Sequence, residues 1–182
     1  MKKIVIGGIG SVLLGDDGVG PYVAGLLDRA YEFDSRVQVV DLGTPGLDLV
    51  AHLSGIDALI LIDSVANGAA PGTVTSYRRE DITRFGPAPE RMDPHSPALS
   101  ESLLIADLSG QGPREILLVG VTGESYEVGE GLSEAAHRGA ESAVREVLAE
   151  CDRWDIAYAE KPCAETPIAW WAPLCEASAA KA

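Results

Sequence analysis

The chain has 182 residues and a 46% hydrophobic share, enough for one compact domain with a full core and too few for two ordinary ones. Basic side chains number 14 and acidic ones 28, a net charge of −14, which disfavours nucleic acid and anionic lipid as partners. No stretch approaches the ~20 apolar residues of a membrane span, so no membrane association and a cytoplasmic location are expected.

Lys3 to Gly8 reads as a strand apolar on both faces, as a central parallel strand should be. A glycine-rich turn follows, and Asp16-Asp17 stand just before a helix. Pro21 suits a first helical turn, and Tyr22, Val23, Leu26, Leu27 and Ala30 recur at helical spacing. Val37 to Leu42 is a second strand, ending in the turn Asp41-Leu42-Gly43-Thr44-Pro45-Gly46. Leu47 to Leu53 is a short helix, and Ala58 to Asp63 a third, almost wholly apolar strand. Nine residues separate Asp63 from Thr73, too few for a helical crossover, so Thr73 to Tyr77 is predicted to run antiparallel at an edge. Residues 84–94 are rich in proline and glycine and read as irregular. A helix over Leu99 to Leu108, starting near Ser96-Pro97, leads to a fifth strand, Glu115 to Val121. Ser133 is a candidate N-cap for a long helix from Glu134 to about Glu150.

Five strands alternating with helices predict an α/β fold, one mostly parallel sheet covered on both faces. Residues 1–150 are read as a single α/β domain and 151–182 as a tail without clear period, holding Trp154, Trp170 and Trp171. The three cysteines, Cys151, Cys163 and Cys175, all fall in that tail. An odd number without a CxxC pair argues against a disulfide framework and against structural zinc.

Asp16-Asp17 follow the first strand, Asp63 ends the third, and His95 precedes a helix. Residues at the C-terminal ends of parallel strands share one sheet edge, so Asp17, Asp63 and His95 are candidates for one site. Two carboxylates and an imidazole suit nickel, zinc or another divalent metal, and three protein ligands leave positions open. Each residue also has a purely structural reading. One of Asp16 and Asp17 would N-cap the following helix, Asp63 would form an Asx-turn, and His95 would bond backbone at a helix start.

In order and at similar spacing, residues 3 to 150 resemble the maturation endopeptidases of nickel-iron hydrogenases. The likeness rests on Gly8-Ile9-Gly10 followed by Asp16-Asp17-Gly18-Val19-Gly20, then Asp41-Leu42-Gly43-Thr44-Pro45-Gly46. It continues through Leu61-Ile62-Asp63-Ser64-Val65, Ala70-Pro71-Gly72-Thr73, His95-Ser96-Pro97-Ala98-Leu99 and Gly120-Val121-Thr122-Gly123-Glu124. The resemblance implies a three-layer α/β/α sandwich of phosphorylase/hydrolase type, with one antiparallel edge strand in a five-stranded sheet. It implies Asp17, Asp63 and His95 as catalytic and metal-contacting residues, with Asp16, Gly10, Asp41, Gly43 and Thr44 in supporting loops. The implied partner is a hydrogenase large-subunit precursor, which loses a C-terminal extension once nickel is in place. The nickel is that of the precursor, and the protease itself is expected to be a monomer. Ser11 stands where the family usually has asparagine, and Thr122-Gly123 where it often has proline.

Two other readings compete. Gly7-Gly8-Ile9-Gly10 invites a Rossmann-like nucleotide or flavin module, with Asp41 as the ribose-binding acid. There the third glycine is misplaced, and Asp16-Asp17 would face the pyrophosphate. An inactive homologue serving as a precursor chaperone would carry the same residues.

Overall fold

The computed structural model describes residues 3–84 and 96–162, with five strands in its main sheet. The strands are β1 (Ile4–Ile9), β2 (Tyr31–Phe33), β3 (Val37–Gly43), β4 (Ala58–Val65), β5 (Val74–Arg78), β6 (Glu115–Thr122) and β7 (Tyr158–Glu160). The helices are α1 (Val19–Ala30), α2 (Leu49–Leu53), α3 (Arg79–Arg84), α4 (Ser96–Leu108) and α5 (Glu134–Arg153). β1 lies between β3 and β4 and is parallel to both, and β6 continues the parallel set beside β4. β5 pairs antiparallel with β6 at the edge, as its short connection requires.

The alternation of strand side chains splits the core into two layers. Ile4, Ile6, Ile60, Ile62, Leu117, Val119 and Val121 face α1 and α5, meeting Val23, Leu27, Ala143 and Val147. Val5, Leu59, Leu61 and Ile116 face the other way, against Leu49 and Leu53 of α2 and Leu99, Leu103 and Ala106 of α4. The result is the α/β/α sandwich expected. Because β1 and β4 are buried on both faces, their continuous apolar runs carried more information than any alternation.

The structure adds elements that the sequence did not announce. β2 and β7 form a separate antiparallel pair, Tyr31 opposite Glu160 and Phe33 opposite Tyr158. Their aromatic rings pack together, with Tyr31 and Tyr158 centroids 5.9 Å apart. α5 runs to Arg153, and Ile156 beyond it joins the core. Cys151, read from sequence as a thiol in a tail, is fully buried in that core. Burial pushes its pKa up to about 12. Cys163, Cys175, Trp170 and Trp171 lie outside the described residues, as does His95. α3 occupies Arg79–Arg84, reaching the first residue of the stretch read as irregular.

The segment between β1 and α1 is compressed by its glycines. A Cβ on Gly20 would sit 2.1 Å from the Ile9 carbonyl oxygen and 2.5 Å from that of Ile62. Only glycine lets α1 begin directly against the ends of β1 and β4. Gly10, at φ +129°, passes so near that a Cβ would lie 1.9 Å from the Asp17 carbonyl oxygen. The glycine pattern therefore serves backbone contact within the protein.

Candidate active site

The turn after β1 tightens into a single 3-10 turn, Gly15–Gly18, which holds both acidic residues. Asp16 is 1% exposed and Asp17 5%. Burial of two adjacent carboxylates demands partners, and the two find different ones.

Asp16 faces the loop between β6 and α5. Its Oδ1 accepts the Ser133 N–H at 2.6 Å, and its Oδ2 accepts the Glu124 N–H at 2.7 Å and the Ser125 N–H at 3.3 Å. The Ser133 hydroxyl donates to Oδ2 at 2.9 Å while accepting the Ala136 N–H at 3.0 Å. Ser133 is thus the N-cap of α5, as its sequence position predicts, and Asp16 adds negative charge behind that cap. Neither Asp16 nor Asp17 caps the helix that follows them: Gly18 is the N-cap of α1, without a side-chain bond. That structural reading is corrected. The 3-10 turn runs straight into α1, with the Val19 N–H donating to the Asp16 carbonyl, and the Asp16 carboxylate is drawn to a loop more than a hundred residues away.

Asp17 turns back over the chain that precedes it. Its Oδ2 accepts the Ser11 N–H at 2.6 Å. A Cβ on Gly10 would stand 3.6 Å from its carboxyl carbon, so the carboxylate lies over the turn just beyond β1. Asp63 lies near the C-terminal end of β4, 6% exposed, and its Oδ1 accepts the Ser64 N–H at 2.8 Å. Since Gly8 pairs with Ile62, the end of β1 and Asp63 share the same sheet edge. Strand alternation puts Asp63 on the face of Leu59 and Leu61, the face covered by α4. α4 feeds the parallel strand β6 and so starts at that edge, with Ser96 its first residue. Among the described residues, no group of three or more His, Cys, Asp or Glu side chains could by itself hold a metal ion.

The second loop arrives beside the first. Ile9 pairs with Gly43, and the Gly10 N–H donates to the Gly43 carbonyl at 2.8 Å. Asp41 closes its own turn by accepting the Gly43 N–H at 2.8 Å, an Asx-turn that leaves Gly43 at φ +57°. Asp41 and Thr44 are exposed there. Sequence reasoning overlooked two side chains at this edge. Ser64, 2% exposed, shares a 2.8 Å hydrogen bond with the hydroxyl of Tyr126 from the loop after β6. A lone tyrosine in a polar loop carries no local signal of such a role.

The family "hydrogenase maturation protease" matches this chain over residues 21–150. A hydrogenase expression/formation protein, HoxM of Azotobacter vinelandii, is 40% identical over 147 residues, covering 80% of this chain and 70% of its own. The hydrogenase 2 maturation protease of Escherichia coli strain K12 is 31% identical over 148 residues, covering 81% and 89%. Among solved structures, the hydrogenase maturating endopeptidase HybD from E. coli superposes with a TM-score of 0.81 at 29% identity, over 87% of this chain and 98% of that one.

Proposed function

The chain belongs to the hydrogenase maturation protease family, and we propose that it removes a C-terminal extension from a nickel-iron hydrogenase large-subunit precursor after nickel insertion. The observation that carries this reading is the pair of buried carboxylates, Asp17 and Asp63, at the shared C-terminal edge of β1 and β4. With His95, they are the residues we assign to the metal that the precursor brings. Two carboxylates and an imidazole are hard and borderline ligands fit for a divalent ion. Three ligands fall short of a closed shell, which suits a site that completes the coordination of a metal held by another polypeptide.

Peptide hydrolysis needs an activated water and a stabilised oxyanion. A carboxylate of the pair takes a proton from water as its oxygen bonds to the scissile carbonyl carbon. When the C–N bond breaks, the same group returns the proton to the leaving amine. Low exposure strengthens both the attraction to the metal and the proton transfer. Asp16 takes no part in this chemistry, because both of its oxygens are engaged by Glu124, Ser125 and Ser133. The enzyme works in the cytoplasm as a monomer, and no described helix is long and apolar enough to cross a membrane.

The test is an intact-mass comparison of nickel-loaded and nickel-free precursor after incubation with the enzyme. Trimming confined to the loaded form is expected. Equal trimming of both forms would remove the metal from the recognition step.

A further inference from the structure

The loops after β1 and β6 are joined into one platform. Leu14 bridges to Val128, the Gly129 N–H donates to the Leu13 carbonyl at 2.9 Å, and the Asp16 N–H donates to the Ser125 carbonyl at 2.8 Å. Gly15, at φ +52°, comes so near that a Cβ there would stand 2.6 Å from the Ser125 carbonyl oxygen. The four hydrogen bonds to the Asp16 carboxylate lock the two loops together beneath that contact. The outer surface of this rigid platform is apolar. Leu13 is 66% exposed, Val128 79% and Tyr126 45%. Leu13 stands in the same loop as Asp17, and Tyr126 bonds Ser64, which follows Asp63 on the opposite face of β4, so the shelf borders the sheet edge that holds the candidate active site.

Large exposed apolar side chains, held on backbone that three interlocking contacts fix, mark an interaction surface. Its rim is acidic. Glu124, Glu127 and Glu130 are exposed in the same loop as Tyr126 and Val128, with no lysine or arginine between residues 115 and 137. An apolar floor with an anionic collar is complementary to an apolar segment flanked by basic residues.

We propose that the Leu13–Tyr126–Val128 shelf docks a segment of the hydrogenase precursor whose apolar side chains are flanked by lysine or arginine, adjacent to the bond that is cut. The choice of occupant rests on the function proposed above. Docking on the platform holds the extension in register with Asp17 and Asp63, and the collar raises the rate of encounter. The shelf makes no contact with the reacting atoms, so its contribution falls on binding.

The test measures two things on full-length protein: calorimetric binding of purified precursor, and trimming by intact mass. Leu13→Gln with Val128→Gln changes two exposed side chains whose backbone bonds remain. The double variant is expected to unfold at the wild-type temperature, bind precursor about tenfold more weakly and raise KM correspondingly, with kcat within about twofold. Raising salt from about 50 to 500 mM is expected to weaken wild-type binding, and Glu124→Gln with Glu127→Gln to flatten that dependence. If the variant loses affinity but wild-type protein does not trim the precursor, the docking surface stands and the proteolytic reading falls. Wild-type affinity in the double variant, or no binding of precursor by wild-type protein, overturns the docking proposal.

Discussion

Replacing Asp16 by asparagine tests whether this carboxylate is a structural tie or a second candidate ligand. Its two oxygens accept from four donors: the Ser133 N–H on Oδ1, and the Glu124 N–H, Ser125 N–H and Ser133 hydroxyl on Oδ2. Asparagine offers one oxygen and an amide group that only donates. If its oxygen takes the Oδ2 position, the amide faces the Ser133 N–H, and a buried donor loses its acceptor at about 1–3 kcal/mol. The bonds left on the oxygen lose their charge assistance, roughly another 1 kcal/mol in all. Ser133 also caps α5, so part of the damage passes to that helix. The expected loss is about 2–4 kcal/mol, or about 5–15 °C in Tm for a chain of this size. Urea unfolding at pH 7 reads it directly. A loss below about 1 kcal/mol would show that the loops after β1 and β6 do not depend on Asp16.

Gly20→Ala places a methyl group 2.1 Å from the Ile9 carbonyl oxygen and 2.5 Å from that of Ile62, both backbone; loss of soluble folded protein is expected, and a cooperative melt at the wild-type temperature would contradict the close approach of α1. Arg78 donates to the two oxygens of Glu150, which is 3% exposed, at 2.5 and 2.8 Å. Arg78→Met leaves that buried charge only the looser pair with Arg153, 3.6 Å away, and should cost up to about 3 kcal/mol, whereas adding Glu150→Leu should recover most of the loss, as read by urea unfolding of both variants. The Cys151 thiol is held up to about 12 by burial, while in the unfolded chain it ionises near its ordinary ~8.5. Stability from this group is therefore complete below about pH 8.5 and declines by about 1.4 kcal/mol per pH unit as pH climbs toward the folded value. Between pH 8 and pH 10 the wild-type protein should lose about 1–2 kcal/mol more than Cys151→Ala, and equal losses would place Cys151 in contact with water.

The sheet was legible because its central strands are buried on both faces and leave long uninterrupted apolar runs, as in Ala58–Val65. The antiparallel edge followed from a connection too short to hold a helix, and the α5 cap from Ser133 standing before a helical period. Other features depend on partners remote in sequence. β2 and β7 have three residues each, and nothing in Tyr31-Glu32-Phe33 names Tyr158-Ala159-Glu160 as its partner. The division of labour between Asp16 and Asp17 is similar. Adjacent and chemically identical, they are separated only by backbone direction in a one-turn helix, which sends one to residues 124–133 and the other back to Ser11. Asp63 had an Asx-like reading, and its carboxylate does accept the next N–H, yet it is buried at the edge where β1 ends. Such a local bond holds the carboxylate in a fixed rotamer at that edge.

Asp63→Asn keeps an oxygen for the Ser64 N–H while removing the charge and turning the other oxygen into an amide donor. The decisive measurement is single-turnover trimming of nickel-loaded precursor by this variant, alongside its thermal unfolding. A rate reduced at least about 100-fold, with Tm within a few degrees of wild type, is what a metal-contacting carboxylate predicts. A variant that trims at the wild-type rate while folded would remove Asp63 from the chemistry and contradict the account.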